Sequence, residues 1–500
     1  MQRRHMVKVL AATAAIPAVV GSAGGAWASP AAKVQGKATS AADLSASDPL
    51  VFDPATYTTL TTSVTTADGV KAVTYRFYKA IPYVAAPVDV TYQTLNVNVP
   101  VEIDGVAVDA SHAPILFNNA VGGYMPSSTA NNTGIGRGTN PGLALASGYV
   151  VAEPGARGRS LVDSTGVYYG VAPAAIVDLK AAVRYLRHNK GRVPGNTDRI
   201  VATGVSAGGA LTSLLGATGD SRLYDSYLSE LGAADASDAV FAAAPYCPIT
   251  DLEHADMAYE WNWGTNPLSS GAQVDQALSK ELRSNFAEYQ ASLKLKGKGG
   301  FGRITARNYD EYLVRTYLEP SATKYLAALS DADRTAYLAA HPGITWSGGK
   351  ASFAWSDFLT HVGARKKNVP SFDLFDLSSG ENNLFGVDTT KARHFTEWSL
   401  RKATGDAAAR LDADLPEKIE LLNPMPFIER KNPHRARNWF IRVGTKDSDT
   451  SLTVVGNLAA SLENLGDNVD TYMYWDGAHG ANQDAPAFMT WIGKVTGYRK

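Results

Sequence analysis

The stretch Ile200 to Gly219, IVATGVSAGGALTSLLGATG, constrains this chain more than any other. An apolar run rich in β-branched residues stops at Gly204, one serine stands between small residues, and a run with helical character follows at once. That order predicts a strand, a tight turn and a helix in immediate succession, which leaves the turn residue, Ser206, pointing away from both elements. Glycine is expected at Gly204 and Gly208 because side chains would clash against so sharp a turn. The small residues after it let the helix pack closely on a sheet.

The surrounding pattern says which sheet. Between Tyr57 and Ile103 the segments YTTLTTSV, GVKAVTYRFY and YQTLNVNVPVEI are β-branched and aromatic and broken by turn residues, which predicts antiparallel strands. From Ala113 onward the signals alternate. PILFNNA, GYVVAEPG and RIVATGV read as strands, and APAAIVDLKAAVRYLRHN and AGGALTSLLGA as helices. Strand and helix in alternation predict an α/β fold with a doubly wound, mostly parallel sheet. AVFAAAPYCPI, NWFIRVGT and VDTYMYW continue it, but the second of these starts at Asn438, far beyond one crossover. The intervening stretch has helical segments of its own, VDQALSKELRSNFAEYQASL and SATKYLAAL, and is read as a large inserted cap rather than a loop. KLKGKGGFGR within it is read as a mobile surface turn, since it lacks the Lys and Ser or Thr of a phosphate cradle.

The expected organisation is therefore a signal over 1–28, a flexible lead-in over 29–50, a first core portion over 51–250, an inserted cap over 251–430 and a second core portion over 431–500. The start, MQRRHMVKVLAATAAIPAVVGSAGGAWASP, has a charged head, an apolar middle and a small-residue site ending at Ala28. Arg3 and Arg4 fit the twin-arginine variety of export signal, so the protein is expected to be secreted, with cleavage after Ala28. At 45% apolar and 19% charged, the 500-residue chain is excluded from the disordered and fibrous classes. A formal charge of −1 with both signs intermixed provides no footprint for nucleic acid or an acidic membrane, and neither is an expected partner. Cys247 is the one cysteine, so no intramolecular disulfide can form; its apolar run marks it as a small buried hydrophobe.

Gly204-Val205-Ser206-Ala207-Gly208 has the spacing of a nucleophile-bearing turn in the strand-to-helix context that such a turn requires. A serine hydroxyl needs a base to take its proton, and the base needs a carboxylate to orient it. In folds with this turn both follow the serine, at the ends of later strands. Asp447 lies just past NWFIRVGT and His479 just past VDTYMYW, and the other eight histidines fall in less suitable places. Asp449 and, more remotely, Asp476 stand as alternatives for the acid. The amide of Ala207, at the helix start, can stabilise a developing oxyanion, and a second amide is expected from NNAVGGYMP, at Val121 or Gly122. No His, Cys and carboxylate set has metal-ligand spacing, and no cofactor is expected.

These residues bring a resemblance into view. FNNAVGGYM, GARGR, GVSAGGALTSLLGATG, FDLFDLSSGENNLFG, GTKDSDTS and WDGAHG resemble the bacterial tannases of the α/β-hydrolase fold over roughly residues 110 to 500. The resemblance implies a serine esterase that cleaves galloyl esters through an acyl-enzyme, with the triad on Ser206, Asp447 and His479. It also implies that ring hydroxyls are held by Asp449, by Glu381 and by Lys367 or its neighbour Lys366. Small phenolic esters, such as gallate esters and tannins, are then the expected partners. A feruloyl or general carboxylesterase is the alternative, and a catalytically silent binding protein on a hydrolase fold the remote one.

Overall fold

Where β-branched residues alternate in the sequence, the chain forms one ten-stranded sheet. Its strands are Thr58–Thr66 (β1), Gly69–Pro82 (β2), Thr94–Ile103 (β3), Val106–Ala107 (β4), Pro114–Asn118 (β5), Val150–Pro154 (β6), Asn196–Val205 (β7), Ala242–Tyr246 (β8), Asn438–Gly444 (β9) and Asn468–Tyr474 (β10). The computed structural model describes residues 48–135 and 140–498; the expected export signal and all of the lead-in before residue 48 lie outside the described residues. The sheet order is β1-β2-β3-β6-β5-β7-β8-β9-β10, with the short β4 paired to β3. β1, β2 and β3 pair antiparallel, as does β3 with β6. From β6 to β10 every neighbour is parallel. The doubly wound expectation and the antiparallel start are both present.

The inner parallel strands are covered on both faces, and their residues divide with period two. Ile115 and Phe117 of β5 enter one core and Leu116 the other; Ile441 and Val443 of β9 oppose Phe440 in the same way. Helices Ala174–His188, Ala207–Ala217 and Leu452–Asn464 cover the first face, and Asn140–Ala146 and Ala485–Thr496 the second. Leu211, Leu214 and Leu215 are fully buried, a gain of about 2 kcal/mol for each side chain.

The chain leaves the sheet after Tyr246 and rejoins it at Asn438. The segment between them includes helices Leu252–Trp263, Gln276–Ser292, Asp331–Ala340 and Trp355–Val362. Most of its apolar residues, among them Trp263, Phe286, Tyr309 and Phe358, join the first-face core, while Val274, Leu282 and Val369 form a small cluster of their own. KLKGKGGFGR is a turn, closed by Lys296–Gly297 and Gly302–Arg303 pairing as a short hairpin, with Gly299 and Gly300 at positive φ where a β-branched residue would be strained. Among the described residues no helix is long and apolar enough to cross a membrane.

Candidate active site

β7 ends at Val205 and the helix Ala207–Ala217 begins two residues later, so Ser206 alone makes the turn. Its backbone sits at φ 62, ψ −122, a region that costs a non-glycine residue energy and persists only when neighbours hold it there. The holders are plain. Ser206 donates its amide to the Tyr246 carbonyl at 3.0 Å and accepts from the amides of Ala210 and Ile249 at 2.9 and 3.2 Å. A Cβ on Gly204 would meet the Asn119 side chain at 2.5 Å, and one on Gly208 would meet the Val121 carbonyl at 2.7 Å. Asn119, fully buried, clamps the turn by donating to the carbonyls of Thr203 and Gly208, both at 3.1 Å.

The loops after β9 and β10 bring two further groups to the serine. His479 Nε2 lies 2.9 Å from Ser206 Oγ, and its Nδ1 lies 2.9 Å from both oxygens of Asp447. Asp447 is buried, and its Oδ1 also accepts from the amides of Asp449 and Thr450 at 2.9 and 3.0 Å. Burial alone would lower the imidazole pKa. The Asp447 carboxylate, followed by the Cys247 sulfur, outweighs it and holds His479 above the ordinary imidazole value. Of the three acids that the sequence left open, Asp447 is the one in contact with His479. Asp449 pairs with Lys366, and Asp476 with His361 and Lys446. A hydroxyl, an imidazole and a buried carboxylate in this order can move a proton off the hydroxyl and back to a leaving group.

Val121 is buried and Gly122 exposed in the loop after β5, which closes on itself through a 2.9 Å bond from the Met125 amide to the Gly122 carbonyl. Among the described residues no protein group accepts from the amides of Val121, Gly122 or Ala207, so these donors are free for a substrate oxygen. Arg159, at the end of GARGR and without a local signal of its role, ties this loop to the insertion. Its Nε donates to the Gly123 carbonyl at 2.7 Å and its Nη1 to Asn383 Oδ1 at 2.9 Å, in the short helix Gly380–Leu384 that carries Glu381.

Of the three residues matched to ring recognition, Glu381 and Asp449 lie near enough to Lys367 for their charges to act on it. Arg365, fully buried and paired with Glu260, donates to the Lys367 and Asn368 carbonyls at 2.8 and 3.2 Å and so sets the backbone of the two lysines. Lys366 turns outward, its ammonium 2.7 and 2.8 Å from the oxygens of Asp449. Lys367 turns inward, with its Nζ 3.5 Å from the centre of the Phe372 ring. Burial pulls the Lys367 pKa down, and the carboxylates of Glu381, Asp449 and Asp256 act against that pull. An ammonium and carboxylates can between them donate to and accept from hydroxyl groups. Three tryptophans of the insertion are engaged within it: Trp263 is core, Trp261 donates to Asp310, and Trp346 packs under Arg334.

Cys247 is buried, as its apolar run predicts, yet it stands beside the site: its sulfur, Asp447 and His479 have ligand atoms within 4.8 Å of one another. Asp251, Glu253 and His254 form a second such group. Neither set has the sequence spacing of metal ligands. In both, the carboxylate and imidazole are already engaged with each other, at 2.9 Å in the first and 2.7 Å between His254 Nδ1 and Asp251 in the second.

The chain is similar to known proteins in sequence and overall fold. The BD-FAE family model matches residues 107–290. The tannase of Fusobacterium nucleatum is 37% identical with a TM-score of 0.78, over 89% of this chain and 99% of that one. The native tannin acyl hydrolase of Lactobacillus plantarum, and a tannin acyl hydrolase in complex with ethyl gallate, are each 36% identical with a TM-score of 0.78 over the same shares. Among curated proteins, Esterase LipQ of Mycobacterium tuberculosis is 39% identical over 89 residues, which spans 18% of this chain and a fifth (20%) of that protein's length.

Proposed function

The chain belongs to the bacterial tannases and is a carboxylic ester hydrolase, and on that premise we propose that it hydrolyses galloyl and related phenolic esters through an acyl-enzyme on Ser206. One observation carries the reading: the continuous chain from Ser206 Oγ through His479 to the buried Asp447. The Ser206 oxygen attacks the ester carbonyl while its proton passes to His479 Nε2. Asp447 holds the imidazolium that forms, and the free amides of Ala207 and of Val121 or Gly122 receive the oxyanion. Collapse breaks the bond to the alcohol, which leaves with the proton from His479. Water then enters, gives its proton to the same nitrogen and releases the aromatic acid and Ser206.

Lys367, Glu381 and Asp449 hold the ring hydroxyls in this reading. Support comes from the nearness of Glu381 and Asp449 to Lys367 and from the ethyl gallate seated in the tannin acyl hydrolase to which this chain is similar. Secretion through a twin-arginine signal cleaved after Ala28 belongs to the same proposal, on the charged head with Arg3 and Arg4, the apolar middle and the small-residue site ending at Ala28. A hydrolysis screen of methyl gallate, methyl ferulate, methyl benzoate and nitrophenyl acetate tests it, with gallate expected to be the best aromatic substrate. Faster turnover of ferulate overturns the galloyl reading and leaves a feruloyl esterase. Loss of export on Arg3→Lys with Arg4→Lys tests the signal.

A further inference from the structure

We propose that the insertion sets the position of the catalytic histidine through Asp476, with His361 and Tyr337 as positioning residues. This rests on the reading of His479 as general base. Asp476 lies in the loop that ends at His479, and it sits at φ 58, in the left-handed region that aspartate enters more readily than most residues with a Cβ. Its contacts come from three directions. Its Oδ1 lies 2.7 Å from His361 Nε2 and 2.8 Å from Lys446 Nζ; its Oδ2 accepts from the Tyr337 hydroxyl at 2.6 Å; its amide donates to Thr445 Oγ1 at 2.9 Å.

Two of those partners belong to the loop that presents Asp447. Lys446 is its chain neighbour and donates its own amide to the Gly477 carbonyl at 2.9 Å. Asp476 and Gly477 therefore stitch the histidine loop to the carboxylate loop. The other two partners come from the insertion: Tyr337 from helix Asp331–Ala340 and His361 from helix Trp355–Val362. They are themselves locked. The His361 ring is 2% exposed and stacks on Trp475 at 4.7 Å and 12°, and Trp475 Nε1 donates to the Tyr337 hydroxyl at 2.7 Å. His341 stacks on Tyr337 at 4.4 Å and meets His361 edge-on at 4.6 Å.

The arrangement repeats the logic of the catalytic pair one layer out. A buried imidazole and a carboxylate are joined, but neither faces the serine. What they can do is hold three residues of backbone, Asp476 to Ala478, in the one conformation that delivers His479 Nε2 to Ser206 Oγ. A misplacement of about 1 Å at a proton-transfer site can cost on the order of 10²-fold in rate, so slack in this loop acts on turnover. Substrate contacts lie elsewhere and are expected to be spared.

The test compares kcat and KM of Asp476→Ala, His361→Ala and His361→Gln on methyl gallate and nitrophenyl acetate, with Tm followed for each. Expected losses in kcat are on the order of 30-fold for Asp476→Ala and about 10-fold for His361→Ala, equal on the two esters, with KM within about twofold. Glutamine can donate one hydrogen bond to Asp476 and is expected to recover kcat to within about threefold of wild type. A general loosening of the insertion would instead raise KM for gallate alone, through Lys367 and Glu381, and that outcome overturns the proposal. So does an unchanged kcat in His361→Ala. Asp476→Asn supplies the same reading if the alanine variant does not fold. His479→Ala separates the two levels: an active His479→Ala sinks the general-base reading itself, whereas an inactive one beside a fully active His361→Ala sinks only the positioning role.

Discussion

The Ser206, His479, Asp447 chain and the Lys367, Glu381, Asp449 group meet in the loop after β9, where Asp447 and Asp449 stand two residues apart, yet they are built in different ways. The first hangs from the ends of parallel strands, and each link is a direct hydrogen bond of 2.9 Å. The second draws two of its members from the insertion, on long side chains whose backbone is fixed from beneath by Arg365, Arg159 and the Ser379 cap. It converges through charge more than through direct bonds. The difference teaches that bond-breaking and ring recognition are separable here, so each can be damaged without the other.

The largest break falls on the first region. Ser206→Ala is expected to reduce hydrolysis of gallate and acetyl esters alike by on the order of 10³-fold or more, with an unchanged far-UV spectrum, because the acyl-enzyme cannot form. Residual turnover within tenfold of wild type removes Ser206 from the nucleophile's role. The next effect falls on the second region. A site that hydrogen-bonds hydroxyls rejects analogues lacking them, so methyl benzoate is expected to be cleaved about 10³-fold more slowly than methyl gallate. Asp449→Ala should erase most of that preference yet leave nitrophenyl acetate within a few-fold of wild type, since the hydrogen bond from Asp449 to Asp447 comes from the main-chain amide. Equal loss on both esters would merge the two regions into one.

A smaller effect concerns pH. His479 must be neutral to act, and its pKa is held above the usual 6.5, so kcat/KM should rise with pH along a limb whose midpoint lies on the alkaline side of that value. This lies above the rise through about pH 6 to 7 expected of an unperturbed histidine. Asp447→Asn removes the chief raising influence, so the midpoint should fall as the rate falls; an unmoved midpoint in a pH-rate profile would assign the limb to another group. The linkage to stability has the opposite sign: the raised pKa stabilises the fold fully below about pH 6.5, and that contribution is lost as pH climbs through the folded value. The smallest effect is at Lys366, whose ion pair with Asp449 is largely exposed. Lys366→Ala should change unfolding free energy by less than about 1 kcal/mol, and a larger shift in chemical denaturation would make that pair a structural part of the second region.

Much of the first region could be read in the chain because its determinants are local. The glycines, the serine and the helix start lie within five residues, and a strand's end predicts where Asp447 and His479 must stand. The second region was half legible: Lys366 and Lys367 are adjacent, and nothing in their spacing says which one turns inward. Asn119, Arg159 and the His361–Asp476 pair were not legible as functional contacts, because each partner sits on a different element and polar residues of these types stand at many solvated positions.

Local backbone chemistry, then, was settled by the sequence alone: alternating strand and helix signals require a parallel sheet, and a serine between glycines at a strand's end requires a strained turn. Which acid meets the imidazole was decided only by the tertiary structure. Asp447, Asp449 and Asp476 are of one residue type and all lie just beyond the ends of β9 and β10. The register of β9 against β10 brings one of them to His479, leaves the second to Lys366 and hands the third to the insertion. Hydrogen bonds act over about 3 Å, and such distances between residues far apart in the chain exist only once the sheet and the insertion have packed.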